Sequence, residues 1–563
     1  MIRRLGVLAM VVMLIVSVQA QSNSLSQTLE ALLKADAIPL SYGEDQVQLS
    51  QKPLLIQFYQ QRDFQPAWNS TDRSKEFLSQ LLHAIDLAAQ DGLDPELPAY
   101  HKTHIQRLAY SLTIQEHALR DLLLSDAFLS LAQHLHHGVA FQTEADILHR
   151  MTKPTRLNLP KLLNSALQTG QISSALAKLA PSHSRYLNLK KQLEHYQNIA
   201  QQGGWDSNPE SYLKPENVRQ RLSITGELQY AIEAHLNSRN TPAITDEFGW
   251  NWQHPMPKPK PQDDQLLAAI KEFQTRQNIT VDGIVGPQTR MRLAESVQTV
   301  INRIRLNLER WRWFNPIEQT NYVMVNIPDF SIQYRPDGQP LSMHAIVGKK
   351  RRPTPMMQAQ MKYIVLNPYW RIPKTILAED ILPKLQQDNS YLNNNQIRLF
   401  NSKDQAERLP LEATQVDWSQ VTPNGMLRYI FRQDAGVSNP LGSIKFIFPN
   451  SEDIYIHDTS ARYLFKNKAF LVSSGCIRAE KPIQLAYEIL VREQPEITYD
   501  ALQQQIQSGQ RKVIWLKEKI PMYLTYQTAW SNDNGILYQR KDVYQHDQNL
   551  LNFMKTNLKM HLN

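Results

Sequence analysis

The sequence predicts a multidomain protein: an α-helical scaffold, a small α-helical module, and a mainly-β, sandwich-like domain with an inserted capping subdomain. Three observations carry this. Apolar residues recur at three- and four-residue spacing as far as Tyr196, glycines and prolines break the chain between Gly203 and Pro261, and from Asn321 the period changes to two. A length of 563 residues accommodates three or four domains.

Residues 1–20 read as an export signal: Arg3 and Arg4, an apolar run from Leu5 to Val16, and Val18-Gln19-Ala20 as a small-x-small cleavage site. The run is too short to span a bilayer comfortably, so retention as an uncleaved anchor is the minority alternative. The expected location is therefore the periplasm. Net charge is +8, spread thinly, with no compact basic-aromatic cluster of the kind that nucleic-acid binders carry. One cysteine in the whole chain rules out an internal disulfide and any cluster of thiolate metal ligands.

From residue 24 to 205 the pattern is helical. Glu76 to Ile85 and Leu119 to Leu131 are amphipathic, and Gly92 stops a helix. His134, His136 and His137 lack further partners at ligand spacing and read as solvated residues at a helix end, not as a metal site. The small module, residues 212–297, centres on a helix with Ile270 and Phe273, the turn Asp282-Gly283, and a helix opened by Pro287. Glu216 to Leu222 is its expected first helix, separated from the rest by an insertion.

The β domain is expected over residues 318–546. Tyr322–Ile327, Phe330–Tyr334, Met343–Val347, Lys362–Leu366, Ser443–Phe448 and Asp453–Ile456 alternate as strands, and Lys481–Val491 is expected as a helix. Residues 373–439 are polar and irregular, too long for a bare loop, and are read as a cap over one edge of the sheet.

Cys476 lies in Ser473-Ser474-Gly475-Cys476-Ile477-Arg478, nineteen positions after His457 in Tyr455-Ile456-His457-Asp458-Thr459. A thiol attacks as its thiolate and needs a base, and His457, at a strand end, is the nearest credible one. The expected helix after Cys476 would stabilise the anion with its N-terminus, and Gly475 would let backbone N–H groups approach an oxyanion. Ser473 and Ser474 would add hydroxyl donors. Arg478 either holds a substrate carboxylate or makes a structural ion pair. Competing thiol chemistries fit poorly. A phosphatase loop needs arginine where Pro482 stands, and papain-like proteases place cysteine before histidine.

Two resemblances add to this. Phe273-Gln274 followed by Val281-Asp282-Gly283-Ile284-Val285-Gly286-Pro287-Gln288-Thr289 resembles the peptidoglycan-binding domain of bacterial wall enzymes. His457-Asp458-Thr459 with the Ser473 to Arg478 block resembles the YkuD-type L,D-transpeptidase motif. Support comes from Val347-Gly348-Lys349, Thr354-Pro355, Asn367 to Pro373 and Asn439-Pro440-Leu441-Gly442. The layout is similar to large periplasmic L,D-transpeptidases. Ser474 stands where many shorter members carry a second histidine, leaving His457 as sole base.

The resemblance implies Cys476 and His457 as the catalytic pair and Asp458 as a supporting residue. It implies Tyr455, Trp370, Asn439 and Arg478 as substrate-binding. It implies third-to-third crosslinking of peptidoglycan stem peptides through a thioester, release of terminal D-alanine, no metal or cofactor, and acylation by carbapenems. Other wall synthases are candidate partners. The alternatives are an L,D-carboxypeptidase, a protein-to-wall transferase, and a non-catalytic wall-binding scaffold.

Overall fold

The computed structural model describes residues 24–559 apart from 36–37, 40–45, 69–72, 111–112, 141–156, 231–260, 315–319, 403–408 and 533. The export-signal reading of residues 1–20 lies outside the described residues. None of the helices described is long and apolar enough to cross a membrane.

The N-terminal region is helical around α1 (Ile114–His137), which opens on a capping box between Thr113 and Glu116. Its core gathers Leu55, Phe58, Trp68, Leu81, Leu122 and Phe128. Two carboxylates on this helix are fully buried: Asp121 accepts from the backbone N–H groups of Ala67 and Trp68, and Asp126 from those of Ser50 and Gln51. The histidines do sit at the helix end, but they are packed, not solvated. Tyr100 meets Nδ1 of His134 at 3.0 Å, and Nε2 of His136 is buried. The region ends with α2 (Ser184–Gln201).

In the small module, α3 (Pro215–Ile224), α4 (Pro261–Arg276) and α5 (Pro287–Leu293) share one core of Tyr212, Val218, Leu222, Ile270, Phe273 and Leu293. The helix anticipated at Glu216 to Leu222 therefore packs on the turn-bearing pair, while most of the insertion between them lies outside the described residues. Gln274 is buried beneath the turn. Its amide nitrogen donates to Asp282 (2.8 Å), the Ile284 carbonyl (3.0 Å) and Thr289 (3.2 Å), and its oxygen accepts from the Gly283 N–H (2.8 Å).

An element not anticipated from sequence, α6 (Val297–Arg312), ties the regions together. Ile304, Leu308 and Trp311 enter the large core shared with the β domain. Arg312, fully buried with Glu309, reaches the Asp91 carbonyl (2.8 Å) and the Tyr186 hydroxyl (3.0 Å). Glu309 accepts from the Ala140 N–H (2.9 Å).

The β domain is built from β1 (Tyr322–Asn326), β2 (Ser331–Arg335), β3 (Leu341–Gly348), β4 (Met357–Leu366), β5 (Ile444–Ile447), β6 (Ile456–His457), β7 (Leu471–Ser473), β8 (Ile477–Ala479) and β9 (Lys512–Thr525). Pairing runs β3–β8–β6–β5–β4–β9–β1–β2 and back to β3, so the sheet closes on itself, with β7 added alongside β3. The sandwich-like expectation is thereby sharpened: the apolar faces are those of one closed sheet. Strand β9 and helix α8 (His546–Lys559) were not anticipated.

The insertion between β4 and β5 is a subdomain with its own core of Leu377, Leu385, Leu399, Trp418 and Phe431. Besides the expected helical pieces it holds a four-stranded sheet formed by Trp370–Arg371, Tyr429–Gln433, Ile397–Asn401 and Pro410–Leu411.

Candidate active site

Alternation along β5, β6 and β8 builds the site. Ile444, Phe446, Ile456, Ile477 and Ala479 are fully buried in the sheet's interior. The intervening residues point to the other face. Lys445 pairs with His457, and His457 pairs with Arg478 across the parallel β6–β8 ladder. One step back, the Ile477 N–H donates to the Tyr455 carbonyl (3.1 Å), which continues the ladder and sets Cys476 beside Tyr455. Lys445, Tyr455, His457, Cys476 and Arg478 thus share one outward face.

The cysteine loop is fastened from below. The Ser473 hydroxyl donates to the Cys476 carbonyl (2.6 Å) and accepts from the Gly475 N–H (3.2 Å). Thr354, 1 % exposed, donates to the Gly475 carbonyl (2.7 Å) and accepts from the Gly348 N–H (2.9 Å), locking the loop to the end of β3. Gly475 has φ +114°, and an added Cβ would sit 3.3 Å from Ile454. The glycine is therefore required by conformation as well as by space.

Cys476 Sγ donates to the Asp453 carbonyl at 3.8 Å, and the residue lies beside Tyr455 on the neighbouring strand. Burial raises its pKa, opposed by Tyr455 and by the positive charge of Lys445. His457 is held down to about 3, first by burial and then by Arg478, so its imidazole is neutral. Its Nδ1 is buried without a well-formed hydrogen bond, and only weak pull from the backbone of Asp458 and Leu441 favours the charged form. No hydrogen bond among the described residues joins the thiol to the imidazole. The two are diagonal neighbours on adjacent strands.

Several sequence expectations are corrected here. Strand β8 separates Cys476 from helix α7 (Pro482–Glu493), placing the helix start at the far end of that strand, so no N-terminal dipole supports the thiol. The Gly475 N–H is already taken by Ser473. Asn439, expected to bind substrate, is fully buried. Its amide donates to the carbonyls of Pro368 (3.0 Å) and Asp434 (3.1 Å) and accepts from the Leu441 N–H (2.8 Å), so it fixes the cap's return strand.

Asp458 turns its carboxylate to Ser443 (2.8 Å) and Arg462 (2.6 Å), away from the imidazole. Gly442, at φ +60°, leaves it that room. Ser474 accepts from Arg352 (3.0 Å). Trp370 and Tyr455 do come together at the site, where Trp370 works against the burial that raises the Tyr455 pKa. Arg478 is largely buried, with Nε lacking a partner.

Three residues escaped the sequence reading: Lys445, Thr354 as the loop's anchor, and Arg352. The last joins Ser474 to Glu379 and Asp380 of the cap. The only sequence signal for Lys445 is its place between two core residues, Ile444 and Phe446.

Residues 320–497 match the L,D-transpeptidase catalytic domain, YkuD. The C-terminal part of the chain is thus similar to YkuD-type L,D-transpeptidase domains. Upstream of it, residues 53–193 match a scaffold domain and residues 244–293 a family described as "Putative peptidoglycan binding domain". A Haemophilus influenzae protein described as "Putative L,D-transpeptidase" is 32% identical over 252 residues, covering 45% of this chain and 49% of that protein. The chain thus spans about half the length of this curated relative. The match to the L,D-transpeptidase domain ends within the loop that follows α7, so it contains β1–β8, the cap and the cysteine loop but not β9.

Proposed function

We propose that the protein is an exported L,D-transpeptidase that makes third-to-third crosslinks in peptidoglycan, with Cys476 as nucleophile and His457 as its base. The thiol turns from the Asp453 carbonyl toward the imidazole, gives up its proton, and attacks the carbonyl carbon of the third stem residue. The bond to terminal D-alanine breaks, and its amine leaves with that proton. The side-chain amine of a neighbouring stem then attacks the thioester, forms the new amide and regenerates the thiol. The Cys476 N–H, which has no acceptor among the described residues, is the donor best placed for the oxyanion.

Arg478 and Tyr455 supply contacts to the donor stem on the same face, with Trp370 above them on the cap. The module around Asp282–Thr289 holds the enzyme on the wall. One observation carries the reading: a thiol and a neutral imidazole project from adjacent parallel strands onto the same face of the sheet.

The test is digestion of sacculi incubated with the full chain, followed by mass spectrometry of crosslinked muropeptides. Wild type should add third-to-third crosslinks, and Cys476→Ala should add none while still pelleting with sacculi. Equal crosslinking by the alanine variant would remove Cys476 as nucleophile. Stem trimming without new crosslinks would identify water as the acceptor.

A further inference from the structure

We propose that Lys445 is the electrostatic partner of the Cys476 thiolate: its ammonium holds the sulfur's negative charge once the proton has left. This rests on the reading of Cys476 as nucleophile and goes beyond it, because that reading needs only a base. Lys445 stands in register with His457 on β5 and therefore on the thiol's face of the sheet. Its Nζ lies 3.6 Å from the centre of the Tyr455 ring, and the ladder sets Tyr455 directly beside Cys476. The ring holds the ammonium on this face of the sheet by a cation–π contact.

Burial, the largest effect on Lys445, brings its pKa down to about 8. The amine is thus substantially charged at neutral pH, and a nearby anion keeps it so. The charged and titratable groups facing this pair are His457, which is neutral and in register with Lys445, Tyr455, Asp453, Arg511 and Arg478. Asp453 opposes the thiolate and favours the ammonium, Arg511 disfavours the ammonium, and Arg478 is coupled to the sulfur. The positive charge of Lys445 is among the leading influences that lower the pKa of Cys476. With no helix N-terminus at the sulfur, this lysine supplies the electrostatic support that thiol enzymes commonly draw from one.

The experiment uses the chain's single thiol. Alkylation by iodoacetamide, an uncharged probe, is followed against pH for the full-length wild type, Lys445→Met and Lys445→Arg. Below the thiol pKa the rate tracks the thiolate fraction, and a rise of one unit slows it tenfold. Lys445→Met should raise the apparent thiol pKa and slow alkylation at pH 7 by about tenfold or more. Lys445→Arg, which keeps the charge, should recover most of the rate.

A purely structural lysine would lower the melting temperature while leaving the pH profile in place, and that result would overturn the proposal. If Lys445→Met does not fold, Lys445→Gln is read in the same way. Alkylation needs neither substrate nor crosslinking, so the lysine can fail while the transpeptidase reading stands, and the reverse.

Discussion

Replacing Thr354 by valine removes one oxygen and changes little else in volume, so its effect isolates the two hydrogen bonds that lock the cysteine loop. The hydroxyl donates to the Gly475 carbonyl and accepts from the Gly348 N–H, in a site only 1 % exposed. Valine leaves both backbone groups buried without that partner. An orphaned buried group costs about 1–3 kcal/mol, so the pair should weaken the local structure by about 2–6 kcal/mol. The loss is local, and the readout should be too: amide hydrogen exchange at Gly348 and through residues 473–478, measured by mass spectrometry on the full chain. Opening should become roughly 30-fold more frequent or more. Alkylation of Cys476 should change in parallel, because Tyr455 and Lys445 act on a sulfur whose loop no longer holds still. Thr354→Ser keeps the hydroxyl and should stay near wild type. Exchange within threefold of wild type in Thr354→Val would refute the claim that this threonine anchors the loop.

Two further outcomes follow from single sites. Gln274→Ala removes the amide that holds the Asp282-Gly283 turn, so sacculus pelleting should fall while Cys476 alkylation is unchanged; full pelleting would show that the turn does not bear the binding surface. Because burial and Arg478 hold His457 at about 3, the base is unprotonated throughout the neutral range. Acylation of Cys476 should therefore show no acid limb centred near the ordinary histidine value of 6.5, and a rate that halves there would place the imidazole in a different environment.

The β strands were legible because apolar residues recur at every second position in the sequence. Ile444-Lys445-Phe446 and Tyr455-Ile456-His457 alternate, and that alternation also sends the functional side chains outward. What stayed hidden depends on neighbours distant in sequence. The pairing of β3 with β2 that closes the sheet leaves no local mark, and β9 carries Lys517 to Lys519 inside a strand, which breaks the apolar pattern. The cap looked irregular because its strands are two to five residues long. Asn439 was misread for a related reason. A polar residue at a loop end looks alike whether its amide faces substrate or satisfies backbone groups seventy positions away, as it does at Pro368.

The cap's attachments explain why residues of opposite character surround Cys476. Its two tethers leave the antiparallel pair β4–β5 side by side, and the Asn367 N–H donates to the Ser443 carbonyl (2.8 Å). Asn367 and Asn439 then use their amides on backbone carbonyls, so the hinge is made of buried bonds that persist. The opposite side is held differently. Arg352 reaches Glu379 and Asp380, both at least a third exposed, and Trp370 reaches Tyr455. Only the carboxylate ends of these pairs meet solvent, because the Arg352 side chain is 9 % exposed. The cap is thus held by amides on backbone carbonyls where the chain enters and leaves it, and by the Arg352 ion pairs beside the cysteine loop.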